Sequence, residues 1–113
     1  MCLGVIMYSY EATIVRILDG DTVEVNIDLG FQIMFRQIVR LYGINAPEKN
    51  TDAGKITIAR INQLIPPGTK VQLDTIKDKK EKYGRYLGII YLNKLNIAVQ
   101  LINEGLAVQQ YYN

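Results

Sequence analysis

The clearest structural pattern of the chain lies in residues 11–28, EATIVRILDGDTVEVNID. Residues 11–18 are rich in β-branched and apolar side chains, which favour a strand. In residues 22–28 apolar and polar side chains alternate, so positions 23, 25 and 27 are predicted to face a core. The Asp-Gly-Asp sequence at 19–21 is a turn signal. This stretch therefore predicts two β-strands joined by a tight turn.

Further strand patterns flank a helical pattern. A third strand is predicted over residues 32–44, after a turn at Leu29-Gly30, and its expected core side chains are Phe35, Ile38, Val39 and Leu41. A helix is predicted over residues 53–65, with Thr51 or Asp52 as its N-cap and with Gly54, Ile58, Ile61 and Ile65 on one face. The Pro-Pro-Gly sequence at 66–68 ends that helix.

The second half of the chain predicts two more strands, residues 70–76 and 86–92, separated by a loop over residues 77–85. A short helix over residues 96–104 is capped by Asn96 and ended by Gly105. This order predicts a mainly β, α+β fold: a five-stranded OB-type β-barrel with a helix after strand 3 and a short helix after strand 5. A length of 113 residues suits one domain, which we place at residues 10–113 behind an N-terminal extension, residues 1–9.

The composition excludes several kinds of active site. The chain has no histidine and one cysteine, Cys2. A Ser-His-Asp triad, a Cys-His pair, a histidine base and a His/Cys zinc site are therefore excluded, as is an internal disulfide. The N-terminus has no basic region and no long apolar run, unlike a signal peptide, and no segment approaches the ~18 apolar residues of a membrane span. We expect a cytoplasmic protein without a membrane partner.

Two clusters in the first half of the chain carry oxygen ligands and charge. Asp19 and Asp21 lie on the predicted turn, where a carboxylate could bind a hard cation; the alternative is a simple turn. Arg40 near a strand end, with Asn45 and Glu48 in the next loop, could form a phosphate clamp, a metal ligand and a general base. The alternative is that these are ordinary surface charges.

The third cluster, Lys82-Tyr83-Gly84-Arg85, lies in a stretch with a local excess of basic residues. Gly84 allows a tight turn, and an arginine fork at the start of a strand matches phosphate oxygens bidentately. Tyr83 offers a stacking surface for a base. The alternative is a solvated loop, since most charge runs are solvated.

Taken together, these motifs resemble the staphylococcal nuclease family. They are Asp19-Gly-Asp-Thr22, Arg40 with Asn45-Ala-Pro-Glu48, Lys82-Tyr-Gly-Arg85, and Leu95-Asn96 through Gly105-Leu106-Ala107, and the likeness extends over residues 12–111. The resemblance implies an OB-type barrel and calcium-dependent hydrolysis of phosphodiester bonds in DNA and RNA, leaving 3′-phosphate ends. It also implies little sequence specificity, since stacking and charge tolerate any base.

The resemblance assigns roles to individual residues. Asp21, Asn45 and the backbone carbonyl of Ala46 would bind Ca²⁺, with Asp19 in support. Arg40 and Arg85 would bind phosphate, and Glu48 would be the general base. The substrate would contact Lys82, Tyr83 and Tyr111. Asn45 stands where the family places an aspartate, so we expect weaker calcium binding, because affinity follows the number of charged ligands.

Two other functions fit the same residues. One is a catalytically weak or inactive nucleic-acid-binding module of the same fold. The other is a protein-interaction domain whose basic loop contacts an acidic partner; unlike a phosphate-binding site, it would show no salt-sensitive affinity for oligonucleotides. For the nuclease we expect a monomer that acts on single-stranded or locally melted DNA or RNA.

Overall fold

The computed structural model describes residues 7–80 and 85–110, with side chains for residues 8–75 and 85–110. The strands are β1 (Met7–Asp19), β2 (Thr22–Asp28), β3 (Met34–Leu41), β4 (Ile44–Asn45), β5 (Lys70–Lys80), β6 (Tyr86–Leu92), β7 (Leu95–Asn96) and β8 (Val108–Gln109). The helices are α1 (Asp52–Leu64) and α2 (Ile97–Asn103).

Five of these strands form a closed barrel. Hydrogen bonding follows the order β3-β2-β1-β5-β6, with antiparallel neighbours, and a parallel pairing of residues 39–41 with residues 86–88 joins β3 to β6. Along the chain, helix α1 follows the third barrel strand, β3, and α2 follows the last barrel strand, β6. The predicted mainly β, α+β architecture with an OB-type five-stranded barrel is therefore confirmed.

The core fills the barrel and the space beneath the helices. Val23, Val25 and Ile27 are buried, as their alternation predicted. Helix α1 contributes Ile61 and α2 contributes Leu101, both fully buried. Burying a side chain of this size stabilises a fold by about 1.5–3 kcal/mol. Among the described residues, neither helix has the length and apolar composition needed to cross a bilayer.

Both helices begin at the predicted caps. The Thr51 hydroxyl accepts a hydrogen bond from the backbone N–H of Gly54 at 3.0 Å. The Asn96 side chain accepts from the backbone N–H of Val99 at 3.3 Å. Each bond satisfies an N–H group that has no partner within its own helix. Gly105 follows α2 with a φ of 76°, a left-handed conformation that glycine adopts without strain.

The third strand is shorter than predicted, and two of its expected core residues are exposed. Residues 30–33 belong to the turn, where Phe31 and Gln32 adopt positive φ, and β3 ends before a second turn. Val39 and Leu41 are buried as predicted, whereas Phe35 and Ile38 are 43% and 37% exposed. The pairing with β6 covers only residues 39–41, so the first half of β3 extends past that contact.

The predicted loop over residues 77–85 is wrong for residues 77–80, because β5 continues to Lys80. Lys80 pairs with Tyr86 beyond an irregularity that begins at Thr75. The strand continues because β6 provides its hydrogen-bonding partner. That pairing depends on tertiary structure, so it cannot be predicted from a local run of charged residues. At the other end of the chain, residues 7–9 of the predicted N-terminal extension belong to β1, and residues 1–6 lie outside the described residues.

Candidate active site

Asp21 lies in the turn between β1 and β2, with its side chain held from several directions. The carboxylate oxygen Oδ2 accepts a hydrogen bond from the backbone N–H of Ala46 at 3.0 Å and lies 3.3 Å from Nη2 of Arg40. The other oxygen, Oδ1, accepts from the hydroxyl of Thr22 at 3.1 Å. Asp21 is only 7% exposed. Its carboxylate orientation is therefore fixed by three groups from three segments of the chain.

Arg40 lies near the end of β3, directly opposite Thr22 on β2. It is 5% exposed, and its Nη1 donates to the backbone carbonyl of Leu41 at 3.0 Å. The backbone N–H of Leu41 in turn donates to the carbonyl of Asp21 at 2.8 Å. The strand pairing therefore fixes the Arg40 guanidinium beside the Asp21 carboxylate.

Arg85 reaches the same place from the start of β6. Its Nη1 donates to the hydroxyl of Thr22 at 3.2 Å, and the same hydroxyl donates to Asp21. Asp21, Thr22, Arg40 and Arg85 thus form one connected group, which we call the Asp21 cluster. Thr22 was not predicted to link these residues. The sequence feature that could have indicated this role is its position, directly after Asp21 and first in a strand.

The segment after β4 borders this cluster. Asn45 is exposed and pairs with Val108 of β8, an unpredicted strand that brings the end of the chain to this edge. Ala46 touches Asp21 through its amide. Glu48 is exposed, and its backbone carbonyl accepts hydrogen bonds from the N–H and the hydroxyl of Thr51, at 3.0 and 2.6 Å. The structure thus joins Asp21 directly to Arg40 and Ala46, joins it to Arg85 through Thr22, and places Asn45 and Glu48 on the adjoining segment.

The turn that carries Asp19 and Asp21 is pressed against its neighbours. Asp19 accepts a hydrogen bond from the backbone N–H of Gly20 at 2.9 Å. A β-carbon at Gly20 would lie 2.6 Å from that of Ala46 and 2.9 Å from Cγ2 of Thr57. Because no real β-carbon has contacts this short, only glycine fits here without a shift of its neighbours.

Thr57 is a buried polar residue beneath this turn that the sequence patterns did not single out. Its hydroxyl lies 2.8 Å from the carbonyl oxygen of Leu106 and 3.1 Å from that of Ala53. It is fully buried, and its methyl group faces Gly20. Thr57 thus connects α1, the segment after α2 and the turn of Asp21. The sequence feature that could have indicated this role is the presence of a threonine among the apolar positions of α1.

The remaining predicted substrate residues, Lys82, Tyr83 and Tyr111, lie outside the described residues. Within residues 7–80 and 85–110, no three His, Cys, Asp or Glu side chains form a group that could hold a metal ion. Asp21 supplies a carboxylate within the cluster, and Asn45 carries an amide on the adjoining segment. Carboxylate and amide oxygens are hard ligands of the kind that Ca²⁺ prefers.

Comparison with known proteins identifies the family. Residues 38–113 match the family model described as "Staphylococcal nuclease homologue". This chain belongs to the staphylococcal nuclease family. The matched segment includes Arg40, residues 45–48 and Arg85. The predicted resemblance is therefore confirmed.

Individual members of the staphylococcal nuclease family are similar over most of the chain. It is 32% identical over 102 residues to an uncharacterized endonuclease of Escherichia coli, covering 88% of this chain and 61% of that relative. It is 33% identical over 105 residues to a thermonuclease of Staphylococcus hyicus, covering 88% and 59%. It is 30% identical over 115 residues to a micrococcal nuclease of Shigella flexneri, covering 91% and 60%. The chain thus spans about three-fifths of the length of these curated relatives.

Proposed function

We propose that this chain is a calcium-dependent nuclease that hydrolyses phosphodiester bonds of DNA or RNA and leaves 3′-phosphate ends. The observation that carries the proposal is the Asp21 cluster, in which two guanidinium groups and a carboxylate from three segments of the chain meet at one place. The names of the relatives, endonuclease, thermonuclease and micrococcal nuclease, agree with this chemistry. A phosphodiester is the substrate that this combination of charges suits.

In this proposal the two arginines bind the phosphate to be cleaved. A planar guanidinium donates two parallel N–H bonds to phosphate oxygens. Arg40 is held by Asp21 and by a backbone carbonyl, so it needs no reorganisation when the substrate binds. Arg85 is half-buried and directly precedes β6. Both interactions strengthen as negative charge builds on the phosphate oxygens in the transition state, which lowers the barrier.

Glu48 is proposed to act on the attacking water. The chain lacks histidine, so a carboxylate is the available base, and Glu48 is exposed on the segment that Ala46 anchors to Asp21. Its carboxylate takes the water proton while the water oxygen bonds to phosphorus. Departure of the 5′-oxygen then leaves the phosphate on the 3′-oxygen.

Calcium fits the donor chemistry of the site. Asp21 and Asn45, with the backbone carbonyl of Ala46, would hold the ion. When bound, Ca²⁺ would supply Lewis-acid polarisation of the phosphoryl group. An anionic phosphate beside the Asp21 carboxylate brings like charges together, and a divalent cation offsets that repulsion. Because Asn45 is neutral, we expect weak affinity.

The proposed substrate is a single strand or a locally melted duplex. Lys82, Tyr83 and Tyr111 would hold the nucleotide by charge and stacking, which do not read sequence. A monomer would suffice, since every proposed role falls on residues of one chain.

The test is digestion of denatured DNA and of RNA by the purified chain with added Ca²⁺, with and without a chelator. We expect fragments that carry 3′-phosphate ends, which a phosphatase converts to 3′-hydroxyl ends, and complete inhibition by the chelator. Cleavage that continues with the chelator would contradict the calcium requirement. Retention of the strand without cleavage would instead indicate the nucleic-acid-binding module. No salt-sensitive binding at all would favour the protein-interaction domain.

A further inference from the structure

The outward side of β1, β2 and β3 carries a second group of charged residues beyond the Asp21 cluster. Glu24 on β2 pairs with Arg16 on β1 and with Ile38 on β3. Its neighbours on β2, Val23 and Val25, are buried in the core. Because successive side chains of a strand point to opposite faces, Glu24 and its partners face outward.

One carboxylate in this group binds two guanidinium groups. Nε of Arg16 lies 2.6 Å from Oε1 of Glu24, and Nε of Arg36 lies 3.2 Å from Oε2. The arginine side chains are 64% and 61% exposed, whereas that of Glu24 is 13% exposed. The three side chains together carry a net positive charge. Since each arginine contacts Glu24 through Nε, the outer N–H groups of both forks have no partner among the described residues.

This group is continuous with the Asp21 cluster along β3. Arg36, Ile38 and Arg40 occupy alternate positions of one strand and therefore one face, with about 13 Å between Arg36 and Arg40. Ile38, between them, is 37% exposed. We call Arg16, Glu24, Arg36 and Ile38 the arginine face. One short stretch of a polymer can reach both this face and the cluster.

Acidic residues mark the far end of the arginine face. Glu11 of β1 pairs with Asp28 of β2, and both are exposed. An anionic polymer lying along the face would be repelled at this pair. The positive surface therefore has a defined length, from the Asp21 cluster to the position of Arg36.

We infer that the arginine face binds the backbone of a single strand of nucleic acid where it extends away from the phosphate held at the Asp21 cluster. The inference rests on the proposed function, because it needs that phosphate as its starting point. Arginine forks match phosphate oxygens bidentately, and Glu24 holds both forks in place before the substrate binds, which reduces the entropy lost on binding. Such contacts position a strand without reading its sequence.

The inference predicts that the arginine face matters only for substrates long enough to reach it. The double variant Arg16→Gln/Arg36→Gln should raise KM for an oligonucleotide of about twelve nucleotides by about tenfold. KM for a dinucleotide should change by less than about twofold, and kcat should be unaffected. The slope of log affinity against log salt should become shallower by about 1.4, the value for two phosphate contacts on a single strand.

Two further variants distinguish the loss of these arginine contacts from a change in net charge and from a loss of folding. Lys70→Gln/Lys94→Gln removes the same charge from exposed positions of β5 and the β6–β7 turn, and should leave the length dependence unchanged. The triple variant Arg16→Gln/Glu24→Gln/Arg36→Gln also removes the carboxylate that would otherwise lose both partners. It should show the same loss for the long substrate, with a cooperative thermal transition.

The outcomes distinguish this inference from the proposed function. If the wild-type chain cleaves both substrates and the arginine variants behave like the lysine control, the inference is overturned and the proposed function stands. If the chain binds the long oligonucleotide without cleaving it, and the arginine variants weaken that binding, the inference stands and the nuclease proposal fails. If the wild-type chain neither binds nor cleaves, both are overturned.

Discussion

Two ion pairs in this molecule differ in their burial and in the geometry of their contacts. The Asp21–Arg40 pair in the candidate site is buried, with side chains 10% and 6% exposed, and its charged atoms are 3.3 Å apart. The Arg60–Glu104 pair connects α1 with the end of α2. It is bidentate, at 2.8 and 3.0 Å, and its side chains are 34% and 25% exposed. The pair with the better geometry is the one away from the site.

The difference shows how the site keeps two charges buried. Burial removes hydration, and one long contact does not compensate for it. The Asp21 carboxylate therefore depends on added hydrogen bonds from Ala46 and Thr22. Arg60 and Glu104 also bond to Gln63 and Gln100, but solvent reaches both members of the pair, so their charges do not depend on these bonds. We expect substitutions in the first pair to affect many segments, and substitutions in the second to act locally.

The largest effect is expected for Arg40→Ala. It leaves the Asp21 carboxylate buried without its cation, which costs about 3 kcal/mol of unfolding free energy. It also removes a group proposed to stabilise the transition state, so turnover should fall by about a hundredfold or more. Denaturant unfolding and single-turnover cleavage measure the two effects. A variant with wild-type turnover would show that Arg40 has no catalytic role.

Arg85→Ala is the matched comparison for that variant. Arg85 bonds to the hydroxyl of Thr22 and is half-buried, so its loss leaves Asp21 with its ion pair. We expect a similar fall in turnover with a smaller loss of stability than in Arg40→Ala. Equal destabilisation by the two substitutions would mean that the buried pair is not what distinguishes them.

Gly54→Ala tests whether α1 positions the proposed base. Gly54 lies on the same helix as Arg60, but at the end next to the site. A β-carbon there would lie 1.8 Å from the backbone carbonyl oxygen of Glu48, so the segment that carries Glu48 must move. We expect a loss of about 1–3 kcal/mol in stability and a lower kcat, although alanine is the better helix former.

Lys55→Ala is the control for Gly54→Ala, because Lys55 is exposed on the same turn of α1. It should change the unfolding free energy by less than about 0.5 kcal/mol. If Gly54→Ala proved as stable and as active as the control, the close approach of α1 to Glu48 would matter for neither stability nor activity.

Local patterns predicted much of the fold because they coincide with tertiary contacts. The alternation in β2 predicted its buried face, and Thr51 and Asn96 predicted the helix starts, since each depends on neighbours in sequence. Phe35 and Ile38 were assigned wrongly to the core. Their exposure follows from how far β6 extends along β3 and from the strand register, and neither is encoded locally.

The candidate site was predictable as a set of residue types, but its connections were not. Asp21, Arg40 and Arg85 stand at strand ends that a barrel brings together. The bridging role of Thr22 and the burial of Thr57 depend on side-chain packing between distant segments. Gly54 was expected on the buried face of α1, and the structure adds the backbone contact that makes a larger side chain costly there.

Asn45→Asp tests whether residue 45 belongs to the proposed metal site. It leaves the buried Asp21–Arg40 pair unchanged. Asn45 is exposed, so the substitution should leave the unfolding free energy nearly unchanged. A second carboxylate near Asp21 should lower the Ca²⁺ concentration for half-maximal cleavage by about tenfold, because calcium affinity follows ligand charge. A calcium titration of the two proteins measures this. An unchanged titration would place residue 45 outside the metal site.

The smallest effect is expected for Glu104→Gln, and it depends on pH. Hydrogen bonds from Arg60, and then from Gln100, lower the pKa of Glu104 from 4.5 to about 2. Because the folded-state pKa lies below the unfolded one, this carboxylate stabilises the fold above pH 4.5, and the contribution is lost as the pH falls towards 2.

Thermal unfolding at several pH values checks this expectation. Glu104→Gln should unfold at a slightly lower temperature than the wild type at neutral pH, and the difference should shrink between pH 4.5 and 2. Glu11→Gln removes an exposed carboxylate that has no cationic partner among the described residues, so it serves as the control. Cleavage at neutral pH should be unchanged in Glu104→Gln, since the helix pair lies apart from the Asp21 cluster. A variant of Glu104 that lost activity without losing stability would show that the two regions are coupled.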